Sequence, residues 1–144
     1  MNGDGGAPIT GMNPRKSILA VPGTPPPFRP YYSNAVRAAV GDMLYISGQV
    51  AWDDAGRIVG VGDGPAQARQ AFGNVGKVLA AHGASWQDLV KVTVFVTDFS
   101  WFDELSALRQ ALFPEHGPAS TIVQVAGLVQ PELLVEVEAV AVVG

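Results

Sequence analysis

The sequence predicts an α+β domain in which a mixed β-sheet carries two main helices on one face. Three observations support this fold class: short β-branched runs near both ends of the chain, two helical apolar stripes between them, and one alternating strand separating the two helices. The order strands, helix, strand, helix, strands leaves one face of the sheet without a cover. A small domain of this kind tends to form oligomers.

The composition fits one domain, which we place at residues 16–144 after a glycine-rich flexible tail of residues 1–15. The chain is 48% hydrophobic, which is enough for a single core. Cysteine is absent, so disulfides, thiolate nucleophiles and cysteine-ligated metals are excluded, and a cytoplasmic location is expected. The two histidines lack the spacing of a zinc site. We therefore expect neither a metal nor a cofactor.

Charge and hydropathy limit the partners. The formal net charge is -4 and no cluster of Lys and Arg is present to neutralise phosphates, which argues against nucleic acid. No apolar run is long enough to span a bilayer, and residues 1–11 lack the basic start and apolar core of a secretory signal. We therefore expect neither nucleic acid nor a membrane as a partner.

The first elements are strands. Lys16–Val21 is expected to form a strand, and Pro22–Pro27 then enforces an extended loop because proline lacks an amide donor. Met43–Ser47 is a second strand, closed by Gly48. The turn residues within Ala51–Arg57 predict that this strand continues into a hairpin.

A long helix follows the hairpin. Pro65 suits the first helical position, and Gly83 suits a left-handed stop after the last turn. Between them, apolar residues recur at helical spacing, namely Ala68, Phe72, Val75 and Leu79.

A strand and a second helix come next. Ser85 and Asp88 have the spacing of a helix start, but only one turn fits there because Lys91–Thr97 alternates as a strand. The second helix is expected after Ser100 and ends near Phe113, because proline follows. Its apolar stripe consists of Phe102, Leu105, Leu108 and Leu112.

Two strands, Thr121–Val125 and Leu133–Val143, complete the predicted sheet. In the last strand Glu136 and Glu138 are two residues apart, so both carboxylates project from one face of the sheet. A pair of acids could orient water or handle a proton. The alternative is a solvent-facing or interface-facing strand with ion pairs across it.

Four segments together resemble the RidA (YjgF) superfamily, and the resemblance covers roughly Ile18–Val143. The segments are Tyr32-Ser33-Asn34-Ala35-Val36, Tyr45-Ile46-Ser47-Gly48-Gln49, Lys91-Val92-Thr93-Val94-Phe95-Val96-Thr97-Asp98, and Pro118-Ala119-Ser120-Thr121 with the closing Glu136-Val137-Glu138-Ala139. The resemblance implies a chorismate-mutase-like fold and a homotrimer with clefts for a small-molecule ligand between neighbouring subunits. The reaction that it implies is the hydrolysis of imines.

One residue of the family pattern is missing. In imine-hydrolysing members an arginine follows Pro-Ala and binds the carboxylate of a 2-imino acid through a charge-assisted, bidentate pair. Ser120 occupies this position here, and the chain therefore resembles an arginine-lacking member. Arg29 and Arg109 are the cations that could replace the missing group, although solvated positions are more common for arginine.

The resemblance also assigns a site. Glu136 matches the catalytic carboxylate that orients water, while Tyr32, Ser47, Gly48 and Ser120 match positions that line the ligand cleft. Trp101 is a further substrate-binding candidate, because relatives often have a small or polar residue at this position and the indole could hang over the cleft. Each has a structural alternative: packing for the tyrosine and tryptophan, and an ordinary strand end for the serines and glycine.

These observations leave more than one function open. The first is an imine or enamine hydrolase, or related acid–base chemistry, acting on a substrate without the usual carboxylate or binding it differently. The second is a non-catalytic ligand-binding or regulatory module that kept the cleft. The third is a specialised biosynthetic enzyme that uses the same cleft. Ribonuclease activity ranks last because the chain is acidic.

Overall fold

The computed structural model of the chain describes residues 13–144. Its elements in chain order are β1 (Lys16–Ser17), β2 (Arg37–Ala38), β3 (Asp42–Gln49), α1 (Gly64–Ala81), a 3₁₀ turn (Trp86–Asp88), β4 (Leu89–Val96), α2 (Phe102–Leu112), β5 (Ala119–Gln124) and β6 (Val135–Val143). Residues 1–12 of the expected tail lie outside the described residues. The Asn13 side chain already donates to Asp88 and to the Val142 carbonyl. Ordered contacts with the domain therefore begin before residue 16.

The main sheet has four strands in the order β3-β6-β4-β5. β4 and β5 run parallel, whereas β6 is antiparallel to both β3 and β4. This mixed sheet with two helices confirms the α+β fold class. β1 and β2 form a separate two-stranded ribbon.

The core lies between the sheet and the helices on one face. Because side chains alternate along a strand, every second residue of β4 and β6 is buried there. These residues are Val92, Val94 and Val96 on β4 and Val135, Val137, Ala139 and Ala141 on β6, and they pack with Phe72, Leu79 and Leu105 of the helices. On the other face, Tyr45 is 74% exposed. That face is uncovered in a single chain, as the sequence predicted.

α1 has the boundaries that its end signals predict. The Asp63 carboxylate accepts a hydrogen bond from the Ala66 amide and caps the helix, with Pro65 in the first turn. Gly83, which follows the helix, has a φ of 69°. Neither α1 nor α2 is long and apolar enough to cross a membrane, and no other described helix is.

The short strands differ from prediction. The first strand is only Lys16–Ser17, because its partner β2 is itself two residues long and offers no further ladder. After β3 the predicted turn forms, and the Asp53 carboxylate accepts from the Ala55 and Arg57 amides. The returning strand is reduced to a single bridge between Trp52 and Ile58. The glycines at 60 and 62 both have positive φ and end the extended backbone there.

Candidate active site

A cavity of about 550 Å³ lies beside the edge strand β5, under α2 and the loop that joins β1 to β2. The residues that line it are Phe28, Arg29, Tyr31, Tyr32, Phe102, Arg109, Ser120 and Ile122. Most are aromatic or aliphatic, two are arginines, and none is acidic. A large apolar hollow with a few polar groups is the usual form of a small-molecule site.

Arg109 is the central residue of this cavity. Only 3% of it is exposed, and its Nη2 donates to Ser120 Oγ. The guanidinium carbon lies 4.6 Å from the centre of the Tyr31 ring, which is a cation–π contact. Burial lowers the pKa of Arg109, while the Tyr31 and Tyr32 phenols act to raise it. The group nevertheless stays charged at neutral pH, because guanidinium does not lose its proton in proteins.

The charge of Arg109 has no acidic partner among residues 13–144. The ion pairs found there join Arg57 to Asp53 and His116 to Glu115. In addition, Arg109 Nε is buried without a hydrogen-bond acceptor. A buried cation is costly unless an anion compensates it. The arrangement therefore suits a ligand carboxylate, which guanidinium can bind through two parallel hydrogen bonds.

Local contacts explain how Arg109 reaches Ser120. Ser106 precedes it by one turn of α2, and the Ser106 and Tyr31 hydroxyls are 3.0 Å apart. This contact places the Tyr31 ring against the same side of the helix. The loop carrying Tyr31 is tied to the start of β5, because Ser33 donates from its amide to the Pro118 carbonyl and from Oγ to the Gly117 carbonyl. Any Cβ at position 117 would overlap the Tyr31 backbone, so only glycine fits there.

Two predicted site residues, Tyr32 and Ser120, meet in this cavity. Tyr32 is half-buried, and its hydroxyl accepts a hydrogen bond of 2.9 Å from the Phe28 amide. Arg29 is exposed, as expected, and its guanidinium donates to the Phe28 carbonyl. Arg109, in contrast, is buried, and the expectation of a solvated position was wrong. One signal was present in the sequence: Arg109 lies four residues after Leu105 and interrupts the apolar stripe of α2.

A second group of predicted residues lies on the opposite face of the sheet. Glu136 pairs with Phe95, whereas Ser120 pairs with the buried Val92, so their side chains project from different faces. The Glu136 carboxylate rests directly against Gly48, where a Cβ would overlap it. Ser47 adjoins this contact and is exposed.

Glu138 shares the face of Glu136, as the alternation predicted, and is exposed. Within one chain, the acid group and the guanidinium group are therefore separated by the sheet.

Trp101 lies outside both groups. Only 8% of it is exposed, and its indole packs against Gly64 at the start of α1, where a Cβ would overlap the ring. The indole belongs to the core in a single chain, and the substrate contact of Trp101 stays a prediction. Among residues 13–144, no three His, Asp or Glu side chains come together in a way that could hold a metal ion.

Comparisons with known proteins agree on one family. The family model described as Endoribonuclease L-PSP matches residues 24–143. The 3-aminoacrylate deaminase RutC of Acinetobacter baylyi is 36% identical over 127 residues, which cover 88% of this chain and 97% of that protein.

Solved structures give the same result. YyfB of Yersinia pestis, a protein of unknown function of the conserved Rid family, has a TM-score of 0.84 at 31% identity, covering 90% of this chain and 99% of its own. RidA from an Antarctic Psychrobacter has a TM-score of 0.66 at 36% identity, covering 82% of this chain and 93% of its own.

Proposed function

Because the chain belongs to the endoribonuclease L-PSP family, within the RidA/YjgF superfamily, we propose that it deaminates a small enamine or imine acid by hydrolysis. The name of the RutC relative supports this reaction class. The observation that carries the proposal is the buried Arg109 guanidinium, which faces an aromatic cavity and has no acidic partner among the described residues.

Arg109 takes over the task of the missing strand arginine. Its Nη2 donates to the oxygen of Ser120, the residue that stands at the family position. The cation beside the start of β5 therefore comes from α2 and not from the strand itself. The substrate therefore keeps its carboxylate, and the hypothesis of a substrate without one is not needed.

The reaction follows from the groups at hand. Arg109 binds the substrate carboxylate and so fixes the carbon of the C=N bond. The aromatic walls exclude bulk water from the rest of the ligand. Glu136 orients one water, accepts its proton as oxygen adds to that carbon, and then returns the proton to the nitrogen, which regenerates the carboxylate. The resulting carbinolamine then loses ammonia, so that C=N and water become C=O and NH₃.

This mechanism needs two subunits, because Glu136 and Arg109 lie on opposite faces of one sheet. We propose a homotrimer in which Glu136, Ser47 and Gly48 of one subunit face the cavity of its neighbour. The uncovered sheet face, with Tyr45 74% exposed, supports self-association. A cytoplasmic location stays a prediction from the cysteine-free composition.

The same separation favours a second candidate. Among residues 13–144 of one chain, the lining of the cavity offers a guanidinium for an anion but no carboxylate that could activate water there. A protein that binds acids without turning them over would need no more than this.

Hydrolysis of a freshly generated 2-imino acid tests the proposal, with keto acid and ammonia measured above the spontaneous rate. We expect clear acceleration by the wild-type protein. Arg109→Leu should lower kcat/KM by about 100-fold, since a desolvated charged hydrogen bond is lost. Arg69→Leu, on the exposed face of α1, is the matched control and should retain full activity. Keto-acid binding without any turnover would support the second candidate instead.

A further inference from the structure

We infer that the acid bound at this site carries a large apolar group, with an aromatic ring as the best fit. The inference rests on the proposed function only in placing the carboxylate on Arg109. It concerns the remainder of the ligand, about which the reaction class says nothing.

The cavity lining combines a polar region with apolar walls. Arg109 and Ser120 form a polar region and bond to each other. The side chains of Phe28, Phe102 and Ile122, which carry no polar atom, contribute apolar walls. A ligand that satisfies both regions has its charge at one end and an apolar body at the other.

The size of the cavity also favours a ligand with a large apolar group. A three-carbon enamine acid has roughly the volume of four waters, or about 120 Å³ at the share of volume that water takes in the liquid. In a single chain the open cavity measures about 550 Å³, of which the neighbouring subunit would occupy part. A short acid would leave most of the apolar wall in contact with water, whereas a phenyl-bearing acid would cover it.

The aromatic walls are held in place by neighbours. Phe102 lies edge-to-face with Phe99, at 6.0 Å between ring centres, and Tyr31 is tilted against Tyr32 at 6.1 Å. Rings fixed in this way offer preformed surfaces for edge-to-face or offset stacking with a ligand ring. Little side-chain ordering would then be required when the ligand binds.

Because Arg29 also lines the cavity, a dicarboxylate is the competing candidate for the ligand. It is the other cation at the cavity, but it is exposed and its guanidinium donates to the Phe28 carbonyl next to it. An exposed charge contributes little to binding compared with a buried one. An aromatic monocarboxylate therefore fits these contacts better than a dicarboxylate does.

The first test compares kcat/KM for the imines of phenylalanine, alanine and glutamate, each generated in the assay by an amino acid oxidase. We expect the phenylalanine imine to exceed the alanine imine by at least about tenfold, the scale on which apolar pockets discriminate. Ile122→Trp, which fills space beside the apolar walls of the cavity, should remove most of this difference. Val40→Trp, at a position that is 97% exposed, should leave it unchanged.

The second test needs no turnover and separates the two proposals. Binding of phenylpropionate, propionate and glutarate is measured by calorimetry with wild-type protein and with Arg109→Leu. Tighter binding of phenylpropionate, lost in Arg109→Leu, supports the inference even if no imine is hydrolysed and the proposed function fails. Equal or tighter binding of propionate or glutarate overturns the inference, even if short imines are turned over.

Discussion

At the scale of single residues, Arg109 and Ser120 are joined by a hydrogen bond and together form the proposed carboxylate-binding unit. Ser120 leaves space for the guanidinium at the start of β5 and supplies an oxygen that accepts from Nη2. An arginine at position 120 together with Arg109 would instead bring two buried cations together, which is unfavourable without an anion between them. The absence of arginine from the strand and its presence on the helix are therefore coupled.

This coupling predicts that the cation can be moved back to the strand. In the double variant Arg109→Leu/Ser120→Arg, we expect the activity lost in Arg109→Leu to recover by at least about tenfold, because one charged hydrogen bond is worth that much or more. The single variant Ser120→Arg should be less stable than wild type. The measurement is kcat/KM for an imino acid, together with the unfolding midpoint of each variant. A folded double variant that stays as inactive as Arg109→Leu would contradict the interchange.

Sequence reasoning found part of this unit. Tyr32 and Ser120 were placed by local motifs, and the cavity brings them together. The burial of Arg109 depends on Tyr31, a residue far away in sequence whose ring supports the guanidinium. The burial of Trp101 has a similar origin, because the absence of a side chain at Gly64 gives its indole room in the core. Contacts of this kind follow from packing, and no local spacing encodes them.

At the scale of elements, boundaries with a local chemical cause were predictable. The proline at position 65 and Gly83 frame α1, and Pro114 follows α2. The short strand β1 was overestimated, because the length of a strand is set by its partner and not by its own residues.

Lys16 shows what the short β1 does. It is 6% exposed, and its Nζ donates to the Gln87 carbonyl at 2.8 Å, so that it fastens the ribbon to the 3₁₀ turn. Burial lowers the pKa of Lys16 from 10.5 to about 8, while the nearby Asp88 acts to raise it. Between these two pH values the unfolded chain binds more protons at this site than the folded protein does.

The stability of the protein should therefore rise as the pH increases from about 8 to about 10.5, with a contribution from Lys16 on the order of 3 kcal/mol. Lys16→Met should remove this contribution, because no proton is then released on folding. The check is the difference in unfolding free energy between wild type and variant across this pH range. Lys77→Met, on the exposed side of α1, is the matched control. A constant difference between wild type and Lys16→Met would disprove the assignment.

At the scale of the whole molecule, the sheet separates the two halves of the proposed site. The cavity with Arg109 lies on the helix side, and Glu136 lies on the uncovered side against Gly48. Each chain can therefore contribute one half to each of two different sites. In a closed ring of subunits, the Arg109 cavity of each chain would face Glu136 of a neighbouring chain.

Mixed assemblies test this arrangement. Arg109→Leu and Glu136→Gln should each be inactive alone, but mixed trimers of the two should recover about a third of the wild-type activity, because each mixed ring pairs two intact halves at one of its three sites. The two chains carry different affinity tags, and mixed oligomers are purified through both before assay. Two differently tagged Arg109→Leu chains are the control and should stay at background. Purified mixed oligomers without recovered activity would show that the two halves do not come from different chains, whereas full activity of Glu136→Gln alone would show that Glu136 has no catalytic role.

The position of the guanidinium on α2 also bears on how such proteins are classified. A search that demands Pro-Ala-Arg at the start of β5 would sort this chain among the inactive members of its family. A criterion defined in space, such as a buried guanidinium that reaches the first residues of β5 from any element, would retain it. Chains rejected by the linear pattern are therefore worth screening again for a cation on the neighbouring helix.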